Sequence, residues 1–416
     1  MTCKERILSN DYADILGDVI LPEEYQYELP FDYCFHRLTG EWGILYIDRN
    51  STEDYRFGQR AYALTPKCYG LMEGIPAQNL KASQNTALNT LSLAESGILA
   101  AQREPLGLTG KNVTIGFIDT GIRYQEPVFR DFAGRSRIVS IWDQTIQTGI
   151  PPEGFQYGTE YTNEMINEAL ASDNPFSIVP STDANGHGSV MASLAAGSSI
   201  ENGSFIGAAP DCQIAVVKLK EAKPYLRDYY KIPPGVPCYS EADILQYLQK
   251  YVLILTRPLV ICLGIGTSYG DHTGAGLLGR YLDYVSTQKS RVTVIAGGNE
   301  GNAAHHYFGE ISDSQTYHDV ELRVGEDNKG FIMDLWGDAP YFYNAAIVTP
   351  GGERARWNNP RNYIPQEFTF VYEKTRIVVE YQLVETLSGA EIIRFRFSDP
   401  TQGVWSIRIN SEGNTV

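Results

Sequence analysis

Three residue types that together serve acyl transfer occur in turns at the ends of apolar runs. Asp119 lies in NVTIGFIDTGI (Asn112–Ile122), His187 opens a small-residue stretch in NGHGS, and Asn299 follows RVTVIAGG in AGGNEG. A buried aspartate beside a histidine fixes the tautomer of the ring and stabilises the imidazolium, so that the imidazole can take a proton from a serine hydroxyl. An asparagine amide can donate to the oxyanion of the tetrahedral intermediate. Such a set works only if distant segments bring all three to one cleft.

The elements that would do so are legible around them. CQIAVVKLK (Cys212–Lys220), PLVICLGIG (Pro258–Gly266) and RVTVIAGG (Arg291–Gly298) are apolar runs of strand length. GHGSVMASLAAGS (Gly186–Ser198) reads as a helix, and so does Glu241–Leu255, with Ile244, Leu245, Leu248 and Val252 at helical spacing. Apolar strands alternating with helices predict an α/β fold, a parallel sheet covered by helices on both faces, with its site at the C-terminal strand ends. That zone spans 86–307. Before it, 1–85 mixes short strands such as Glu41–Asp48 with acidic loops, a small α+β unit. The polar segment Ala77–Leu91 after Pro76 reads as an exposed linker. After it, 308–416 is a succession of strand runs and turns without a helix pattern, an all-β sandwich or jelly roll.

Four segments in order, VTIGFIDTGI, NGHGSVMASLAAGS, GAAPDCQIAVVKL and VTVIAGGNEG, resemble the Asp, His, following-strand and oxyanion segments of subtilisin-like serine proteases. Asp before His is also the subtilisin order. RIVSIWDQTIQTGIPPEGFQYGTEYT and AVVKLKEAKPYLRDYY resemble the clostridial subtilases that include the spore-germination proteases. The resemblance implies catalytic roles for Asp119 and His187 and an oxyanion-hole role for Asn299. It implies that Cys262, Leu263, Gly264 and Ile265 stand for the family's Ser-Leu-Gly-Gly strand, which pairs with the substrate backbone. It further implies that 1–85 is a prodomain (inhibitor and intramolecular chaperone), with the self-cleavage junction near the linker, and that 308–416 is a jelly-roll insert, incomplete at its C-terminus.

The family's serine turn, Gly-Thr-Ser-x-Ala-x-Pro, does not occur between Asn299 and Val416. Gly266-Thr267-Ser268 precedes the asparagine and lacks the alanine and proline, so Ser268 is a poor nucleophile candidate. The expectation is a serine endopeptidase made as a zymogen, with its serine beyond this chain and residues 1–416 inactive alone. Its implied partners are a protein or peptide substrate, such as the pro-segment of a cortex-lytic zymogen, its own prodomain and the rest of the protease domain. The alternative is a non-catalytic pseudoprotease that binds or signals. A binding module has no need of Asp119, His187 and Asn299 together.

Composition narrows the classes. With 43% hydrophobic and 20% charged residues the chain is globular, and a formal charge of −16 argues against nucleic acid and anionic membranes. The N-terminal segment has no apolar core of a secretory signal, which places the expected location in the cytoplasm or spore. Cys3, Cys34, Cys68, Cys212, Cys238 and Cys262 lack a regular spacing and read as free thiols. A single Asp-Thr-Gly excludes the paired carboxylates of an aspartic protease within one chain. Gly264, Gly266 and Gly270 are spaced one residue too long for a dinucleotide fingerprint, and no cofactor is expected. His305 and His306 are adjacent and would face opposite ways, a poor metal pair. Asp183, Asp271 and Asp283 lack a calcium-loop spacing, so solvated surface is their default and no metal is expected. Lys218 reads as structural.

Overall fold

The computed structural model describes residues 1–18, 32–38, 42–50, 61–71, 91–199, 205–254, 257–311, 316–355 and 364–412. Most of the predicted linker, 77–90, lies outside them. The chain starts with α1 (Cys3–Leu8), closed by a capping box: the Glu5 amide donates to the Thr2 hydroxyl and the Thr2 amide to the Glu5 carboxylate. β1 (Tyr12–Asp18), β2 (Tyr33–Arg37) and β3 (Trp42–Asp48) form an antiparallel sheet with β3 in the middle. Then come α2 (Ala61–Leu64) and β4 (Cys68–Leu71).

The next part carries α3 (Ile98–Gln102), β5 (Thr114–Asp119), β6 (Ile138–Asp143), β7 (Thr159–Thr162), α4 (Asn163–Ala171) and α5 (His187–Ala196). It continues with β8 (Gln213–Lys218), α6 (Pro224–Tyr229), β9 (Tyr239–Ser240) and α7 (Glu241–Ile254). β10 (Leu259–Leu263), β11 (Ile265–Gly266), α8 (Leu277–Thr287) and β12 (Arg291–Ile295) follow. The sheet order is β12-β10-β5-β8-β6-β7, parallel except for β7.

Alternation along the strands explains why both faces are covered. Ile118, Ala215, Val217, Ile261 and Leu263 point into one core, with Leu245 and Leu248 of α7 and Tyr281 and Val285 of α8. Ile115, Phe117, Ile214 and Val216 point into the other, with Ile166 of α4 and Ala192 and Ala196 of α5. Each large aliphatic side chain so buried contributes about 2 kcal/mol. The N-terminal sheet joins the first core through Leu16, Ile44 and Tyr46, so it packs on α7 and α8.

The last part is β13 (His318–Val324), β14 (Gly330–Gly337), β15 (Phe342–Val348), β16 (Gln366–Thr369), β17 (Arg376–Gln382), β18 (Glu391–Ser398) and β19 (Gly403–Glu412). Two antiparallel sheets, β13-β19-β15 and β14-β18-β17-β16, close on a core of Phe395, Phe397, Trp405 and Ile407. Arg394 of β18 meets the rest of the molecule. Its guanidinium holds Asp334 through two bonds of 2.7 Å and donates to the Tyr229 hydroxyl at 2.8 Å. Tyr62, Tyr230 and Tyr269 also surround it, with ring centroids 4.7–5.9 Å away.

The cysteine expectation is corrected. Cys3 pairs with Cys34 and Cys68 with Cys238, and only Cys212 and Cys262 are free. Each pair meets through tertiary contact, the second across 170 residues of sequence, which spacing along the chain cannot reveal.

Glu391, 2% exposed, accepts the Tyr343 amide at 2.8 Å, while its Oε1 has no partner among the described residues. Burial raises its carboxyl to about 7. The folded state therefore holds a proton that the unfolded chain releases above about 4.5. Stability from this site falls as pH rises from about 4.5 to 7, by about 3 kcal/mol. Glu391→Gln keeps an acceptor for Tyr343 and should stabilise the sandwich at pH 7.5. Urea denaturation at pH 5 and 7.5 should show the gain at the higher pH only.

Candidate functional site

β5 and β8 run side by side in register, with Asp119 opposite Lys218, and the C-terminal end of β5 delivers Asp119 to the sheet rim. The carboxylate is 1% exposed. His187 enters the same rim as the first residue of α5. Its Nδ1 lies 2.8 Å from Asp119 Oδ1 and 3.0 Å from Oδ2. A carboxylate only accepts, so Nδ1 carries the ring proton and Nε2 is the basic nitrogen. The Thr120 amide also donates to Asp119 Oδ1 at 2.7 Å, which fixes the carboxylate against its own backbone.

What aligns the two loops is Asp183, whose expected place was solvated surface. It is 2% exposed. Its Oδ1 accepts from the Thr120 hydroxyl at 2.8 Å and the Gly186 amide at 2.8 Å. Its Oδ2 accepts from the Ser189 amide at 2.9 Å and the Ser189 hydroxyl at 2.6 Å. The Thr120 oxygen in turn accepts the Gly188 amide at 3.0 Å. One carboxylate thus ties the turn after Asp119 to the turn that opens α5. Its sequence signal is weak, an aspartate four residues before the histidine in a loop.

Two glycines let the parts approach. A side chain on Gly188 would run into the Gly121 carbonyl, so the start of α5 can lie on the Asp119 turn only without one. A Cβ on Gly264 would sit 2.8 Å from Asp119 Oδ2 and 3.4 Å from His187 Cε1. Gly264 therefore borders the pair directly. Ile265 lies in β11, where it pairs with Leu71 of β4 while Gly266 pairs with Gly70. Cys262 and Leu263 lie inside the parallel sheet, opposite Phe117 and Ile118. Of the four residues expected to pair with substrate, Cys262 and Leu263 thus end β10, Gly264 lies at the break beside Asp119 and His187, and Ile265 opens β11. Burial and the nearby Asp119 push the Cys262 thiol up to about 11, so it stays protonated near neutrality.

β4 lies between β11 and β9, with Tyr69 opposite Tyr239 and Cys68 opposite Ser240. An extended stretch of the N-terminal part therefore fills the strand position next to Gly264. Asn299 follows β12 in an exposed turn, and the Ala296 amide donates to the Leu263 carbonyl at 3.3 Å, so the turn leaves the sheet at the same rim. Ser268 is exposed in the bend after β11. Among the described residues no group of three or more His, Cys, Asp or Glu side chains could hold a metal ion.

Residues 110–321 match the family model described as the Subtilase family. Subtilisin-like protease SBT3.3 of Arabidopsis thaliana is 30% identical over 223 residues, 47% of this chain and 26% of that protein. SBT3.5 of the same plant is 30% identical over 221 residues, with the same shares. The chain thus spans about a quarter of the length of these curated relatives. Among solved structures, the CspB protease of Clostridium perfringens superposes with a TM-score of 0.66 at 28% identity, covering 78% of this chain and 65% of that one.

Replacing Asp183 by alanine would strip four donors of their acceptor in a buried site. The expected loss is about 3 kcal/mol in urea unfolding, with Asp183→Asn intermediate because its amide nitrogen must face other donors.

Proposed function

We propose, from the premise that this chain belongs to the subtilase family of serine proteases, that it carries the acid and base of a serine endopeptidase whose hydroxyl comes from chain outside residues 1–416. The observation that carries this reading is the bond between His187 Nδ1 and Asp119 at 2.8 Å. It leaves Nε2 as the base that would take the serine proton, while Asp119 stabilises the imidazolium that forms. Asn299 would donate to the oxyanion.

Where the serine-bearing chain would sit is suggested by β12. Strand β12 bonds to β10 on one side, and Val292, Val294 and Ile295 are 54%, 50% and 59% exposed. Strands further inside the same sheet are buried on both faces, so an apolar edge of this kind calls for more sheet and helix. A further length of protease fold, packed there, would cover the valines and could bring the hydroxyl to His187.

In this reading 1–85 is the prodomain, 86–307 the protease domain and 308–416 the insert. β4, held antiparallel between β9 and β11, would occupy the place of a substrate strand and so block the cleft. The substrate is then an extended protein segment, and the sequence resemblance to the clostridial germination-type subtilases suggests a pro-segment of another protein. Retention of a bonded Asp119–His187 pair favours catalysis over a purely binding role.

The test is labelling by a fluorophosphonate probe. The full-length gene product should be labelled once its cleft is open, and residues 1–416 alone should not. Asp119→Asn in the full-length protein should slow labelling and peptide hydrolysis by about 10⁴-fold, the scale expected when the orienting carboxylate is lost. Equal labelling of the parent, Asp119→Ala and His187→Ala proteins would overturn the assignment.

A further inference from the structure

The strand in the cleft is not held by its ladder alone. Cys68, the first residue of β4, is paired with Cys238, which immediately precedes β9. The ladder explains the meeting: Cys68 lies opposite Ser240, and Cys238 is two residues earlier and so on the same face of the ribbon. Their Cα atoms are 5.6 Å apart, within the range a disulfide spans. Cys68 is 6% and Cys238 0% exposed. Beside them the Lys67 amide donates to Glu241 Oε2 at 2.9 Å, and the Glu241 amide to the Lys67 carbonyl at 3.0 Å.

The pair joins two parts to which the proposed function gives different roles. Cys68 belongs to the N-terminal part and Cys238 to the part that carries Asp119 and His187. Cys3–Cys34, by contrast, lies wholly within the N-terminal part. We propose that Cys68–Cys238 is a redox latch, a covalent tether that keeps β4 in the cleft after the backbone between β4 and α3 has been cut and lets go only on reduction. This rests on the reading of β4 as a substrate mimic.

The reason is one of concentration. Once the chain is cut, an untethered β4 is held only by its strand bonds and by the docking of the N-terminal sheet on α7 and α8, and when these let go dilution carries the whole N-terminal part away. A tether at its first residue holds the segment near its slot at an effective concentration on the order of millimolar. Release is thiol–disulfide exchange with a dithiol. One thiolate of the dithiol attacks a sulfur of the pair, forming a mixed disulfide and expelling the other cysteine as thiolate. The second thiol of the dithiol then displaces the remaining cysteine. The dithiol ends as a cyclic disulfide, and Cys68 and Cys238 as thiols. Because both sulfurs are buried, exchange requires β4 to part from β9, so the latch should yield slowly until the strand is loosened.

The test uses residues 1–416 with a specific protease site inserted after Lys81. After cleavage, a non-reducing denaturing gel should show one species that dithiothreitol splits in two. Cys68→Ser and Cys238→Ser chains should split without reductant, and a chain with Cys3→Ser and Cys34→Ser should behave as the parent. A second measurement follows the anisotropy of a fluorescein-labelled peptide, Lys-Ser-Tyr-Gly-Leu-Met. The cut oxidised protein should not bind it, and reduction should expose a saturable site. If the parent splits without reductant, there is no tether and the latch is overturned, whatever the peptide does. If the tether is found and released but the peptide still fails to bind, the latch has no cleft to guard, and the substrate-mimic reading falls while the disulfide stands.

Discussion

The geometry of this molecule is organised around one hydrogen bond, from His187 to Asp119, made by a carboxylate that is almost wholly out of water. A buried carboxylate is costly unless its oxygens are satisfied, and here the imidazole and the Thr120 amide do so. The parallel sheet brings Asp119 to the rim, α5 brings His187, and Asp183 keeps their turns in one arrangement. Gly188 and Gly264 then remove the side chains that would otherwise hold the parts apart.

The same rim explains why the N-terminal part is placed as it is. Its sheet rests on α7 and α8, and its last described strand reaches across to β9 and β11. The contact carries buried charge as well as apolar surface. Lys223 donates to Asp14 at 2.7 Å, and the Gln246 amide donates to the Tyr46 hydroxyl. Buried pairs of this kind add little net stability over apolar substitutes, but they penalise any docking that leaves one member alone. They set the orientation in which β4 must lie.

Much of this was legible in the residues. β5, β8 and β10 are apolar runs because both faces of the sheet are covered, and α7 shows its spacing plainly because one stripe is buried. Asp119 and His187 stood out because glycines and small residues flank them for reasons of close approach. Other features were hidden for equally physical reasons. Asp183 has the composition of a solvated loop, and only the three-dimensional meeting of two turns makes it a clamp. Cys68 and Cys238 become neighbours through a ladder formed by distant segments. The break between β10 and β11 at Gly264 was equally hidden, because Cys262, Leu263, Gly264 and Ile265 run on as one apolar segment in the sequence.

Arg394 has a wider consequence. It sits where a strand of the C-terminal sandwich, helix α6, the loop after β11 and Tyr62 of the N-terminal part converge, with its charge met by Asp334 and roofed by tyrosine rings. Asp334 lies on the same sandwich, so swinging that unit away from the sheet would keep the ion pair but break the Arg394–Tyr229 bond and pull the guanidinium out from among the rings of Tyr62, Tyr230 and Tyr269. The appended β-unit is therefore pinned, through one side chain, to both other parts of the chain at once.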